Sequence, residues 1–298
     1  MESFQTDRWV GLASGIAFVL LVLIVDGLLI LGIGQAGISL VGFVLGLLII
    51  ASLLLLSLLG YWLYGLMRSS FHVDRNALVI NWGAVTQVVP MESVTGVLSG
   101  DQAQRITRFR GALWPGLRAG YGAIEGIGPT LFFATGPLRG QVILTTPTLA
   151  YALSPADPTT FIQVVRQRLD MGPSQTVDHA SRQPALLTWN FWTDRMGLAL
   201  LVSALIVLTL LFGYISLRYP SLADLQPLHF DAIGQPDRYG TRAQVFTLPF
   251  IGLLALIANG GLGFLLYQRQ RPASYLLWSG AVGVQLLVWV ATLGILTS

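Results

Sequence analysis

The side chains that offer chemistry in this chain are few and scattered. There is no Cys and no Lys. That excludes thiolate catalysis, disulfides, Cys-based metal sites, Schiff bases and a phosphate-loop lysine. Three His remain. His72 and His179 stand alone. His229 sits in Leu228-His229-Phe230-Asp231 and is followed by Pro236-Asp237. Imidazole with the carboxylates of Asp231 and Asp237 is a donor set that suits a metal ion. The competing reading is that His229 hydrogen-bonds the loop backbone while Asp231, Gly234 and Pro236 shape turns. Gly120-Tyr121-Gly122-Ala123-Ile124-Glu125-Gly126 has one residue too many for a dinucleotide loop and lacks the helix that must follow, so it reads as turn glycine. An enzyme needs a nucleophile, a base and a positioned partner. No such set is present in the sequence. The expectation is a non-enzyme with no catalytic residue, no metal and no cofactor.

Three further polar residues stand out by their surroundings. Asp26 lies inside Leu23-Ile24-Val25-Asp26-Gly27-Leu28, and Asn259 and Gln285 interrupt later apolar runs. A carboxylate within a membrane span costs about 2.5–3.5 kcal/mol, while each Leu, Ile, Val or Phe returns about 0.3–0.6. Thirteen such residues between Phe18 and Ile33 outweigh the acid. Intramembrane carboxylates mark ion or proton paths, or pair with a polar group on another helix and fix packing. Both readings stay open for Asp26, with Asn259 and Gln285 as candidate partners.

The remaining concentration of charge is Arg105, Arg108, Arg110 and Arg118, with Phe109 and Trp114 interleaved. Arg pairs with anionic headgroups and Trp anchors at an interface, each Arg contributing about 1 kcal/mol near an anionic surface. The same composition describes a solvated loop between strands with its aromatics tucked inwards. Residues 68–195 carry 11 Arg and 8 acids, a net charge of +3. That is too small to argue for nucleic acid.

The elements that must hold these residues are set by composition. Apolar residues make up 54% of 298 residues and charged ones 10%. Soluble chains average about 25% charged, so this one belongs to the membrane class. The sequence predicts a transmembrane hairpin over 1–68, with spans 9–33 and 38–66 turned at Gly34-Gln35-Ala36-Gly37. A polar island follows at 69–170, then a linker at 171–195. A three-helix membrane unit occupies 196–298, with spans 196–217, 245–267 and 273–296 and an outer loop at 218–244. Gly11-x-x-x-Gly15 and Gly42-x-x-x-Gly46 have the spacing that permits close helix approach.

Within the island the apolar period shortens to two. Strands are expected at Ala77–Trp82, Thr86–Pro90, Val94–Leu98, Thr130–Phe133, Gln141–Thr145 and Leu149–Leu153, with an earlier one near Phe71. Asp157-Pro158 is a helix start, and Phe161, Val164, Val165 and Leu169 repeat at helical spacing. Ala77–Gly83, Val89–Val94, Pro115–Arg118 with Gly120-Tyr121, Phe133–Thr135 and Tyr151–Pro158 with Phe161 together resemble a bacterial pleckstrin-homology-like (PH) domain of multi-pass membrane proteins. That resemblance implies an antiparallel β-barrel capped by its terminal helix, without a phosphoinositide pocket. Leu228–Gly240 resembles the His-containing loop of a short membrane domain of unknown function, found in some toxin-immunity and signalling proteins.

Arg near the span ends gives orientation. With the island inside, Arg8, Arg68, Arg75, Arg182, Arg195, Arg269 and Arg271 lie on the cytoplasmic side, and Arg218, Arg238 and Arg242 outside. The expectation is therefore a bacterial cell-membrane protein with its amino terminus and island in the cytoplasm and its carboxyl terminus outside. Its function would be to bind a protein partner, or to self-assemble, through the PH-like domain beside the lipid bilayer. The alternatives are a transporter or signal sensor using Asp26, Asn259 and Gln285, and an envelope-defence or immunity protein using the outer loop.

Overall fold

A computed structural model of the chain describes residues 1–182, 189–231, 233 and 235–297. Pro184 of the expected linker and Gly234 of the outer loop fall outside the described residues. Five helices are long and apolar enough to cross a membrane. They are α1 (Trp9–Ala36), α2 (Leu40–Met67), α4 (Arg195–Arg218), α5 (Thr247–Tyr267) and α6 (Arg271–Thr297). The chain divides into two compact units, one of residues 1–25 and 52–188, the other of residues 26–51 and 189–298.

The first unit is rich in sheet. Its strands are β1 (Glu2–Gln5), β2 (Ser70–Val73), β3 (Ala77–Trp82), β4 (Val85–Pro90), β5 (Gly96–Ser99), β6 (Ile106–Trp114), β7 (Leu117–Ile124), β8 (Gly128–Ala134), β9 (Val142–Thr145), β10 (Ala150–Leu153) and β11 (Ala180–Arg182). They form two sheets, ordered β1-β2-β3-β4-β11 and β5-β9-β10-β8-β7-β6. These sheets are not closed into the expected barrel. The antiparallel expectation also fails at one pair. β10 folds back on β9 through a tight turn and lands beside β8, which it meets in parallel.

The last helix of this unit, α3 (Pro158–Met171), starts as its residues dictate. The Asp157 carboxylate accepts from the Thr160 N–H at 3.0 Å, and Pro158 occupies the first turn, where no N–H is needed. Phe161, Val164 and Val165 enter a core shared with Phe71, Ile80, Met91 and Tyr151.

Two stretches outside the expected island join its first sheet. The short polar start of the chain is strand β1, paired Phe4↔Phe71 with β2. Its alternation is only four residues long, too short to read as a period. Phe4 packs edge-on against Phe161 at 5.0 Å, and Glu2 pairs with Arg168 at 2.9 Å. Because β1 precedes α1 and β2 follows α2, the hairpin of spans is inserted between two neighbouring strands. The linker supplies β11, which lies against β4.

The second unit packs α5 against α6, with α4 beside both. The segment 218–244, expected as an outer loop, contains a hairpin, with β12 (Leu225–Phe230) paired to β13 (Pro236–Thr241). Trp278 is fully buried among Phe191, Tyr267 and Phe264. In α1 and α2 the apolar side chains, such as Leu20, Ile24, Leu28, Leu54 and Leu58, are exposed, as expected of helices that meet lipid.

Candidate functional site

The Arg-rich stretch is the long β6–β7 hairpin, which corrects its reading as a loop. Charges at Arg105, Arg108 and Arg110 hide its alternation, and a bulge breaks it. Arg108 has φ 51°, and the register shifts between Thr107 and Arg110. The hairpin tip rests on the first turns of α1. The Trp114 indole N–H donates to the Gly11 carbonyl at 3.1 Å, and the Ser14 hydroxyl donates to the Pro115 carbonyl at 2.6 Å. Gly11 therefore receives the hairpin, while Gly15 faces Leu63 of α2.

Cross-strand register sorts the side chains. Trp114, Ala112 and Arg110 share one face with Leu117, Ala119 and Tyr121, and Arg118 lies on the other face opposite Leu113. Burial lowers the pKa of the Arg118 guanidinium. Arg105, Arg108 and Arg110 are exposed. None of the ion pairs among the described residues involves any of these four Arg.

On the Arg110 face the hairpin borders a cavity of about 280 Å³. Tyr61 and Trp62 from the last two turns of α2 form one wall, and Trp82 and Phe133 form the other. The two rings of that second wall lie 5.8 Å apart. Arg110 and Tyr121 stand at the rim. The wall exists because Gly65 of α2 has no side chain. A Cβ there would lie 2.6 Å from Trp82 Nε1. Trp82 is 3% exposed, and its indole N–H has no hydrogen-bond partner. Gln87, also lining the cavity, is held by a 2.6 Å bond from its amide to the Ser181 hydroxyl of β11.

The second unit holds its polar groups differently. Asp194, the N-cap of α4, accepts from the Tyr275 hydroxyl at 2.6 Å, the Tyr267 hydroxyl at 2.8 Å and the backbone N–H of Met196 and Gly197 at 3.1 Å. These bonds, the one from Tyr275 foremost, hold its carboxyl below the usual range. Gln285 donates to the Gly252 carbonyl at 2.8 Å, and Asn259 donates to Ala255 of its own helix at 2.9 Å. Neither bonds Asp26, whose Oδ1 is buried without a partner, as is Gln285 Oε1. The three residues thus form no hydrogen-bonded set.

His229 Nδ1 lies 2.6 Å from Asp237 Oδ1. Asp231 turns instead to the N–H groups of Ile233 and Gln235, at 2.9 and 2.8 Å. No cluster of three metal-ligating side chains occurs among the described residues.

Eleven strands in two sheets, closed off by α3 against the core, set the frame for comparison. Residues 69–169 match the family model of the bacterial PH domain. Residues 204–253, from α4 across the β12–β13 hairpin into α5, match that of a domain of unknown function, DUF1648. An uncharacterized protein of Archaeoglobus fulgidus is 42% identical over 59 residues, which cover 20% of this chain and 32% of that protein. The match thus spans about a third of the relative's length. No solved structure matches. The protein is a membrane protein carrying a PH-like domain and a DUF1648 region. Of the residues lining the cavity, the sequence singles out Arg110 as a candidate contact but not Tyr61 and Trp62 of α2 or Trp82 of β3. Those three come together only when α2 meets β3. Asp194 was legible in principle, as an Asp just before an apolar run.

Proposed function

We propose that this is a non-enzymatic membrane docking protein. Its PH-like domain binds a protein partner in the cytoplasm, beside the bilayer. The observation that carries the reading is that Arg105, Arg108 and Arg110 of one hairpin strand region are exposed outside any ion pair among the described residues, and that Arg110 lines the aromatic cavity. Unpaired exposed Arg next to buried aromatic surface is the composition of interface hot spots. The strained backbone at Arg108 also belongs to the kind of feature that collects at binding sites. The partner that fits is a segment carrying an apolar anchor for the Trp82–Phe133 wall and acidic residues for the Arg row. Sidedness follows the distribution of Arg near the span ends. The pairing of β1 with β2 supports placing the amino terminus and the domain together.

A photo-crosslinker at Tyr121 in the full-length protein tests this. It should yield one discrete adduct, lost when Arg105, Arg108 and Arg110 are all changed to Glu at unchanged membrane level. An adduct that survives the charge reversal refutes the reading. An adduct of twice the chain's mass identifies the partner as a second copy.

A second reading rests on Asp26, whose buried Oδ1 lacks a partner. In that reading the helices respond to an ion or signal. Asp26→Asn would abolish the response, and an unchanged response removes this alternative.

A further inference from the structure

We infer that the tip of the β6–β7 hairpin, residues 113–118, is a lipid-binding surface. It rests in the headgroup layer beside α1, with the Arg118 guanidinium placed for the phosphate of an anionic phospholipid. This contact lies at the other end of β6 from Arg105 and does not rest on the docking reading. Three contacts position the tip. The Trp114 indole N–H donates to the Gly11 carbonyl at 3.1 Å, and the Ser14 hydroxyl donates to the Pro115 carbonyl at 2.6 Å. A Cβ at Gly116 would overlap the backbone of Val10 and Gly11, so the turn and the helix touch backbone to backbone.

The depth of these contacts follows from the length of α1. Its 28 residues extend about 42 Å at about 1.5 Å each, against a hydrocarbon core of about 30 Å. The surplus, shared between both ends, leaves roughly the first four residues among the headgroups. Trp9, 80% exposed, is the first of them and carries the ring that anchors at this level. Gly11 and Ser14 lie two and five residues further in, about 3 and 8 Å along the axis. The hairpin tip therefore sits deeper than Trp9, at the boundary between headgroups and hydrocarbon.

The surface of the tip has the chemistry of that layer. Leu113 is 61% exposed, and Pro115 of the turn and Val10 of the helix it touches are exposed as well. A lone exposed Leu means little. Here three apolar side chains lie on two touching segments where lipid begins. Pro115 has no N–H, and its carbonyl already has the Ser14 hydroxyl. This turn residue thus carries no unpaired backbone group into a layer poor in water.

Arg118 supplies the preference for an anionic lipid. It stands opposite Leu113 in the cross-strand register, on the same face, and is half-buried. No ion pair among the described residues involves it. A half-buried cation without an acidic partner calls for an anion from outside the chain. Lipid phosphate is the anion found at this depth, and a guanidinium takes it through two parallel N–H bonds. In phosphatidylcholine the choline competes for that phosphate, and in phosphatidylglycerol nothing does. One Arg at an anionic surface corresponds to a preference of about fivefold.

The chain has no Cys, so Leu113→Cys creates a single labelling position at an exposed site. A nitroxide there is read in the full-length protein, in vesicles of equal phosphatidylcholine and phosphatidylglycerol. Its collisions are measured with oxygen, which concentrates in lipid, and with a nickel chelate, which stays in water. Gln104→Cys, before the far end of the hairpin, and Ile24→Cys, in the α1 span, are the references, both at exposed positions. The label at 113 should lose most of the chelate collisions seen at 104, while its oxygen collisions rise toward those at 24. A label as open to the chelate as the one at 104 overturns the proposal. One shielded from both reagents overturns it in favour of a protein contact. A bimane at position 113 then reports the neighbouring lipid, through quenching by phosphatidylglycerol or phosphatidylcholine brominated near the headgroup. Quenching should show about fivefold enrichment of phosphatidylglycerol, falling close to one in Arg118→Gln. Arg118→Lys, which keeps the charge, should stay above the Gln variant. The same ratio in the parent and in Arg118→Gln overturns the role of Arg118.

Discussion

The packing of Trp278 against Gly263 makes a quantitative prediction about the second unit. A Cβ at Gly263 would lie 2.1 Å from Trp278 Nε1 and 2.7 Å from its Cε2. The contact leaves no room for even one methyl, and Trp278 is 0% exposed, so the ring has nowhere to move. Overpacking of this kind costs about 1–3 kcal/mol. Trp278→Phe removes part of the ring and leaves a void. The cost of a void has two parts in water, transfer and cavity. Between helices in lipid the transfer part is absent, and packing remains together with the 3.4 Å bond from the Trp278 indole N–H to the Gly260 carbonyl, so about 1–2 kcal/mol is expected. The two changes touch the same atoms, so their effects should not add. Combined in one protein, the smaller ring accepts the new methyl, and the double variant should recover about 1–2 kcal/mol relative to the sum of the single ones. The assay is thermal unfolding of the full-length protein in detergent, followed by loss of the monodisperse peak. Trp fluorescence is avoided because the probe itself is altered. Additive losses would refute the packing argument. So would a Gly263→Ala variant as stable as the parent.

Other consequences are briefer. The Asp194 carboxyl is held below its ordinary range by the Tyr275 hydroxyl and the further donors around it. Its contribution to stability is therefore complete above the unfolded value of about 3.9, and is lost as pH falls through the lowered folded value. A pH series of thermal melts should show an acid limb that Asp194→Asn weakens, the part due to Asp157 remaining. Gly65→Val places a side chain onto Trp82 Nε1. It should cost about 1–3 kcal/mol and perturb the β3 region in hydrogen exchange, while the helices of the second unit keep their protection. Deleting residues 2–5 removes β1 with the Glu2–Arg168 pair and the Phe4–Phe161 contact. Faster proteolysis of the PH-like domain at unchanged membrane insertion is the expected outcome.

How far the sequence revealed this depends on the length of each signal. The five spans run for twenty residues or more, and composition alone locates them. Most strands at 77–153 were visible because Val, Ile, Leu and Phe repeat at short intervals between turn residues. The β6–β7 hairpin was not, since an edge strand protected by Arg and broken by a bulge loses the alternation that betrays a strand. The hairpin β12–β13 was missed for a related reason. Asp231 and Pro236 flank its turn, and neither arm carries an apolar run long enough to count. The cavity residues fared worst. Tyr61 and Trp62 look like ordinary span residues, and Trp82 looks like the end of a strand. Their shared site depends on Gly65 meeting Trp82 across 17 positions of sequence. The polar residues of the spans do not meet as expected. Asn259 and Gln285 bond Ala255 and Gly252 rather than Asp26.

The placement of β1 ties these parts together physically. A domain carried after two spans needs only a tether, but this one recruits the strand before the first span as well. The Arg8 guanidinium donates to the Met67 carbonyl at 2.5 Å, so the start of α1 and the end of α2 are fastened to each other where both leave the apolar region. Thr6 and Ser69, the residues just outside those two ends, share a buried 2.5 Å hydroxyl contact. A free tether would let the domain swing away from the bilayer surface. Two anchored strands and a hairpin tip seated on Gly11 and Ser14 hold the Arg row at a fixed distance from the spans. A partner that binds the row is thereby held beside the membrane without any ordering of a flexible linker, which lowers the entropic cost of docking.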